Sequence, residues 1–295
     1  MLRNIKNILT LALPLLLAAC SKEVRTEDPG MEIRFNVTYP ALTRATSTGF
    51  ESGDTVGLWM TEYVSGAASP LRISGNAVNN AALICDGSSW KTSPTVYWNR
   101  GVKYDVYGYY PYDPSPASAD EYRFSVATDQ SAVPADGSLG GYEASDFLWA
   151  KTTGVKYPDA VTLSFSHKMS RVVVNLVKGS GYEGEFPDDL AVTVHSVAVD
   201  AIVDLGSGDV VKDPKGRTGS VKLRKEGDGR YAGIVVPQRL DDRKPLVEVA
   251  AGDVSYLLES RFVFRSGMRH SITVTLNSDP DKVSIEIGGT VGEWN

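Results

Sequence analysis

Residues 161–177 read Val-Thr-Leu-Ser-Phe-Ser-His-Lys-Met-Ser-Arg-Val-Val-Val-Asn-Leu-Val, and this stretch decides the fold class. In its first half Val161, Leu163 and Phe165 alternate with Thr162, Ser164 and Ser166, the period of a strand with one buried face. In its second half Arg171–Val177 is too continuously apolar for alternation and reads as a strand covered on both faces. Moving outward, the same period of two recurs in Ile33, Phe35 and Val37, and in Ile272, Val274 and Leu276. It recurs again in Val283, Ile285 and Ile287. Thr55–Tyr63, Trp90–Trp98, Lys103–Tyr112, Asp146–Ala150, Ala191–Leu205, Ser220–Arg224 and Tyr231–Pro237 read as further strands. Gly227-Asp228-Gly229 marks one hairpin, and Gly252-Asp253, between Leu246–Ala250 and Ser255–Val263, marks another. Phe124–Gly141 reads as irregular, and no segment sustains a helical period. Short strands punctuated by Gly, Pro and Asp predict an all-β chain of antiparallel sandwiches. Pro158 separates two strand sets and sets the expected boundary between an N-terminal domain, 31–157, and a C-terminal domain, 158–295.

The N-terminus carries a different signal. Arg3 and Lys6 precede an apolar run from Ile8 to Leu17, then Ala18, Ala19 and Cys20. The run is about ten residues, whereas a membrane-crossing helix takes roughly 20, so 1–19 is read as a cleaved signal peptide. The Leu17-Ala18-Ala19-Cys20 order resembles a bacterial lipobox, which makes Cys20 the expected lipidated first residue of a membrane-tethered protein. Polar residues 20–30 follow as a tether. Composition excludes other classes. With 42% hydrophobic and 22% charged residues the chain is globular rather than disordered. A net charge of −6 offers no electrostatic case for nucleic acid. Cys85 is the only cysteine besides Cys20, so the mature chain has no intramolecular disulfide.

Catalytic and metal chemistry find little support. His167, His195 and His270 lie far apart, with no partner at metal-ligand spacing, and read as structural histidines. His167, between two strands, is expected to make a hydrogen bond at a junction of sheets. Gly179–Gly184 matches G-x-G-x-x-G, but Glu185-Phe186-Pro187-Asp188 is no opening for a long helix, so it reads as a turn. There is no G-x-S-x-G elbow, and the acidic residues are scattered. No enzyme activity, cofactor or metal is expected. The aromatic run Trp90, Tyr97, Trp98, Tyr104, Tyr107, Tyr109, Tyr110 and Tyr112 has two readings. On alternating strands about half of these rings face inward, giving a Tyr-rich core. The other reading is an exposed platform for a glycan or a protein partner.

Several segments, in order, resemble the fimbrillin family of Bacteroidetes, the lipoprotein pilins and accessory subunits of type V pili. They are the Cys20 lipobox, Glu32–Thr38 followed by Thr43-Arg44-Ala45-Thr46, Phe50–Gly57, Tyr109–Tyr112, Asp146–Ala150 and Phe165–Val172. The resemblance implies two transthyretin-like antiparallel β-sandwich domains in tandem. It implies a surface lipoprotein of the outer membrane and fimbrium, acting as stalk, tip or anchor and supporting adhesion to a host protein or glycan. It also implies cleavage after Arg44, before Ala45, release of the first strand with Ile33, Phe35 and Val37, and refilling of the groove by a strand of another subunit. Anchor subunits can keep that strand. The C-terminal strand with Val283, Ile285 and Ile287 is the candidate donor. The alternative function is a stand-alone outer-membrane glycan-binding lipoprotein.

Overall fold

The computed structural model describes residues 30–40, 49–132, 134, 138–252, 254–277, 284–286 and 291–294. In chain order the strands of the first half are β1 (Phe35–Thr38), β2 (Thr55–Val64), β3 (Ala67–Ala68), β4 (Val78–Cys85), β5 (Trp90–Ser93), β6 (Lys103–Tyr110) and β7 (Tyr122–Ser125). After one helical turn, α1 (Gly141–Ala144), come β8 (Leu148–Lys156), β9 (Val161–Ser164), β10 (Ser166–His167), β11 (Ser170–Lys178), β12 (Ala191–Ala198), β13 (Asp200–Asp204) and β14 (Asp209–Lys212). The chain ends through β15 (Thr218–Lys222), β16 (Arg224–Gly227), β17 (Arg230–Val235), β18 (Gln238–Ala251), β19 (Val254–Phe264), β20 (Met268–Leu276), β21 (Ser284–Glu286) and β22 (Val291–Glu293).

Four sheets result. The largest runs β10-β8-β6-β2-β4-β5-β1-β9, with β3 on β2. Its two ends curl together, so that β9 lies against β8 and β6 and the sheet wraps a core of its own. That core contains Ile33, Phe35, Leu58, Val106, Leu148, Val161 and Leu163. A second core unites the sheet β16-β17-β11-β20-β21, which has β22 also on β20, with β15-β12-β18-β19 and β14-β13-β7. Val172, Val173 and Val174 are all buried there, as a strand covered on both faces requires.

The two cores share a wall. On β6, Tyr104, Val106 and Tyr110 face the first core, whereas Tyr107 and Tyr109 belong to the second. On β2, Leu58 and Met60 face the first and Trp59 the second. Close approach inside this wall relies on glycine. A Cβ at Gly57 would stand 2.0 Å from the Tyr109 ring, and one at Gly108 would stand 2.8 Å from the Phe165 ring. The aromatic strand therefore does not split into inward and outward halves, because both of its faces are covered.

Other departures from the sequence reading have identifiable causes. The ladders are mostly antiparallel, but β1 runs parallel to β9, and β11 parallel to β20. Neither pair is joined by a hairpin, so no short turn dictates its direction. Val161–Ser164 completes the first sheet, so Pro158 lies between two strands of one sheet. Phe124 is on β7 rather than in irregular chain, since Tyr122–Ser125 pairs with Asp200–Val203. Ser220–Arg224 is not the hairpin partner of Tyr231–Pro237. Thr218–Lys222 pairs with β12, and Arg224–Gly227 takes the hairpin position against β17.

Candidate functional site

β1 is held entirely by strands distant in sequence. On one side it runs parallel to β9, Phe35 opposite Val161 through Thr38 opposite Ser164. On the other side Phe35 faces Trp90 of β5, and Glu32 bridges Tyr97. Val161 N–H donates to Arg34 O at 2.9 Å and Phe165 N–H to Thr38 O at 3.0 Å. From the opposite flank Trp98 N–H donates to Met31 O at 2.9 Å, and Ile33 N–H donates to Val96 O at 2.9 Å. Ile33 and Phe35 are buried, and Val37 packs against the same core. The alternation seen in the sequence thus drives one face of β1 into the first core, while Arg34, Asn36 and Thr38 face solvent.

Just beyond β1, Tyr39 meets a buried cluster. Its hydroxyl donates to Asp146 Oδ2 at 3.1 Å, and His167 Nδ1 lies 2.8 Å from Asp146 Oδ1. The His167 ring stacks on Trp294, with centroids 3.9 Å apart and planes 3° apart. Trp294 is tied back by its N–H to Gly267 O at 2.9 Å. The expected hydrogen bond of His167 is present. Its partner Asp146 and its stacking ring Trp294 carry no sequence signal, because both depend on tertiary placement. These residues line an open cavity of about 1350 Å³, together with Phe50, Asp54, Tyr110, Tyr112, Glu143 and Arg224. Burial, then the Asp54 carboxylate, pushes the Tyr110 hydroxyl up.

The opposite end of the chain also docks by short ladders. β20 pairs with β11 on one side, and on the other with β21 (Val274 opposite Ile285) and β22 (Arg269 opposite Gly292). Ile285 is thus on a strand, while Val283 and Ile287 lie outside the described residues, as do Cys20, Arg44 and Ala45.

A charge cluster next to Tyr142 carried no sequence signal. Glu226 Oε1 accepts from Arg171 Nη2 at 2.7 Å and Oε2 from Arg230 Nε at 3.0 Å. Arg224 pairs with Glu143 and lies 3.8 Å over the Tyr142 ring. Burial alone would raise the Glu226 carboxyl, but the Arg171 charge and the hydrogen bonds from Arg230 and Arg171 outweigh it and hold the group below its ordinary value.

The remaining residues singled out in the sequence have structural partners. His195 Nδ1 is 2.7 Å from Ser220 Oγ and its Nε2 2.7 Å from Glu248 Oε2, a row across the β15-β12-β18 face. His270 Nε2 accepts the Arg265 N–H at 3.0 Å beside the Phe262 and Phe264 rings. Gly179–Gly184 is turn and coil after β11, with Gly181 and Gly184 at positive φ. Among the described residues no group of three His, Cys, Asp or Glu is placed to hold a metal ion, and no helix is long and apolar enough to cross a membrane. Of the aromatic run only Tyr97, 49% exposed, presents a broad face to solvent.

The fold and site define a nearly all-β protein in which β1 is docked onto strands distant in sequence and β21 and β22 rest on the neighbouring β20 by short ladders. A family model described as fimbrillin-like matches residues 43–294, and the chain belongs to that family. A Bacteroides ovatus protein named as a fimbrium tip subunit, Fim1C, is 27% identical over 146 residues, 45% of this chain and 26% of that protein. The match thus spans about a quarter of the relative's length. A Bacteroides ovatus crystal structure described as a cell adhesion protein superposes with a TM-score of 0.70 at 20% identity, covering 90% of this chain and 98% of the other. A second, from Bacteroides uniformis, gives 0.63 at 19% identity, covering 83% and 93%. The two establish the fold over most of the chain.

Proposed function

We propose that the chain is a non-enzymatic fimbrial subunit of the bacterial surface that assembles by β-strand exchange and supports adhesion. The observation that carries this reading is the seat of β1. A short strand is inserted between β5 and β9, its apolar row supplies part of the first core, and it borders the segment holding Arg44. Burial of each such side chain contributes about 1.5–3 kcal/mol. A seat emptied by cleavage between Arg44 and Ala45 is therefore poorly stable until another strand fills it, and main-chain hydrogen bonds then supply affinity while pockets for Ile33, Phe35 and Val37 supply register. The segment with Val283, Ile285 and Ile287 is the proposed donor, supported by the three-residue ladder that holds β21. In this reading the sheet around β1 is an N-terminal transthyretin-like sandwich, residues 31–157 without β7 and joined by β9 and β10, and the rest of 158–295, with β7, is its C-terminal companion. A lipid on Cys20 tethers the subunit to the outer membrane. The family match, the likeness to a named tip subunit and the two adhesion-protein structures support a fimbrial and adhesive role. Packing of Trp90, Trp98, Tyr104, Tyr107, Tyr109 and Tyr110 in or against the two cores leaves few rings of the aromatic run for a glycan-capturing platform and favours the fimbrial reading.

The test compares cells carrying the parent, Cys20→Ser and Arg44→Ala. Cys20→Ser is expected to move the protein out of the membrane fraction. Arg44→Ala is expected to abolish the denaturant-resistant ladders that the parent forms after trypsin-like cleavage. Filaments built from chains whose N-terminus is still Cys20 would overturn the exchange mechanism.

A further inference from the structure

The sheet β15-β12-β18-β19 ends on β19, whose outer edge meets no strand among the described residues. This edge is long, at 11 residues. Where the β18–β19 register slips, between Leu240 and Lys244 and between Pro245 and Val247, the extra residues belong to β18. β19 contains no Pro, no Gly and no Lys, the residues that commonly blunt an edge. Its odd-numbered row is open to solvent, with Leu257 53% and Val263 41% exposed on either side of Glu259 and Arg261. Its even-numbered row, Tyr256, Leu258 and Phe262, packs against the second core but is only partly buried, because the sheet stops there.

We infer that this edge pairs antiparallel with the β19 edge of a second copy of the chain, about a two-fold axis at Ser260. That register sets Glu259 opposite the second copy's Arg261, and Arg261 opposite its Glu259. It sets Leu257 opposite the second copy's Val263 and completes the inner row with Leu258 opposite its Phe262 and Tyr256 opposite its Phe264. Opposed residues share a face, so exposed pairs with exposed and core with core. Neighbouring registers are disfavoured. An axis at Glu259 opposes two carboxylates, an axis at Arg261 opposes two guanidiniums, and an axis at Leu258 leaves Glu259 facing Leu257. The ion pair that this row makes within the chain, Arg243 Nε to Glu259 Oε2 at 3.8 Å, is solvent-exposed on both sides and binds Glu259 weakly. β19 belongs to a sheet of the second core and β1 to the sheet of the first, so the pairing is separate from strand exchange at the β1 seat.

The test uses the full chain with Cys20→Ser, which leaves the buried Cys85 as the only native thiol. Directly opposed antiparallel residues stand about 4.5–5.5 Å apart at Cα, within disulfide reach. Ser260→Cys is therefore expected to cross-link into a dimer under mild oxidant at least about tenfold faster than Ser255→Cys, which lies off the axis. By sedimentation, Glu259→Arg is expected to raise the dimer dissociation constant about tenfold or more, and Glu259→Arg combined with Arg261→Glu to restore it, since two opposed charge pairs change sign together. Equal cross-linking of the Ser255→Cys and Ser260→Cys variants, or a single charge reversal without effect, overturns the inference. Cross-linking on cells to a subunit of different mass, by a Ser260→Cys variant that keeps Cys20, also overturns it, in favour of another subunit on this edge.

Discussion

Phe35→Ala tests whether β1 is an independently removable element. Phe35 is 6% exposed, stands in register between Val161 and Trp90, and belongs to the first core. Truncating a buried Phe to Ala costs about 3–5 kcal/mol. What matters is which equilibrium absorbs this loss. If β1 leaves its seat while the remaining sheets stay folded, that local opening is promoted by nearly the whole amount. The amides of Val161, Phe165 and Trp98 donate to the carbonyls of Arg34, Thr38 and Met31, so they exchange hydrogen when β1 departs. At 1.4 kcal/mol per factor of ten, their exchange accelerates by about a hundred- to several-thousandfold. The amides of Val126 and Leu223, which donate to Val199 and Val192 in the sheets of the second core, exchange through openings of that core, and if β1 leaves alone their opening free energy in the parent is larger than that of the β1 set. Native-state hydrogen exchange read by NMR or mass spectrometry separates the two sets. Equal opening free energies for the two sets in the parent would mean that β1 unfolds only with the whole molecule, and strand exchange at this seat would then be refuted.

Glu226→Gln is expected to destabilise the fold by about 3–5 kcal/mol, because it strips the Arg171 guanidinium of a buried counter-charge. Urea denaturation reads this, and a loss under about 1 kcal/mol, the level of an exposed pair, refutes the role given to the cluster. His270 predicts a pH dependence. Burial, then the Arg265 charge, holds its imidazole below the ordinary value of 6.5, so the unfolded chain takes up the proton first as pH falls. Stability is therefore full above 6.5 and lost as pH drops from there through the folded value. His270→Gln keeps an acceptor for Arg265 N–H but does not titrate, so its melting temperature is expected to fall less than the parent's between about pH 7 and 5. An unchanged slope refutes it.

Strand existence is legible in the sequence wherever one core-facing row alternates with a solvent-facing row. Ile33, Phe35 and Val37 against Arg34, Asn36 and Thr38 is the clearest case, and the unbroken Val172–Val174 run announces a strand buried on both sides. Local pattern fails where the second cover comes from far away. Nothing within Lys103–Tyr110 announces that Tyr109 will meet Tyr122 and Phe147, or that Tyr107 will join the same core, so an aromatic alternation reads as one face in and one face out. Strand direction is illegible for the same reason, since β1 reaches β9, and β11 reaches β20, through long connections rather than tight turns. The site is half legible. The sequence places His167 at a junction of sheets with a hydrogen bond, but its partner and its stacking ring sit at positions that no spacing rule selects.

The geometry around His167 bears on how the two ends of the chain depend on each other. Asp146 receives Tyr39 from the end of β1 on one oxygen and faces His167 with the other, while Trp294, one residue past β22, covers the flat face of that imidazole. Withdrawing β1 takes a hydrogen bond from a carboxylate that is nearly buried. Withdrawing the C-terminal segment strips the ring stacked on the same pair. Once either has gone, water reaches Asp146 and His167, and the contact that remains is worth less, because a hydrogen bond or a stacked ring contributes less in water than in a dry setting. The two departures therefore favour one another, and by linkage the effect is equal in both directions. On the strand-exchange reading, a strand that leaves the first sheet would thus loosen the hold on Trp294 at the other end of the chain.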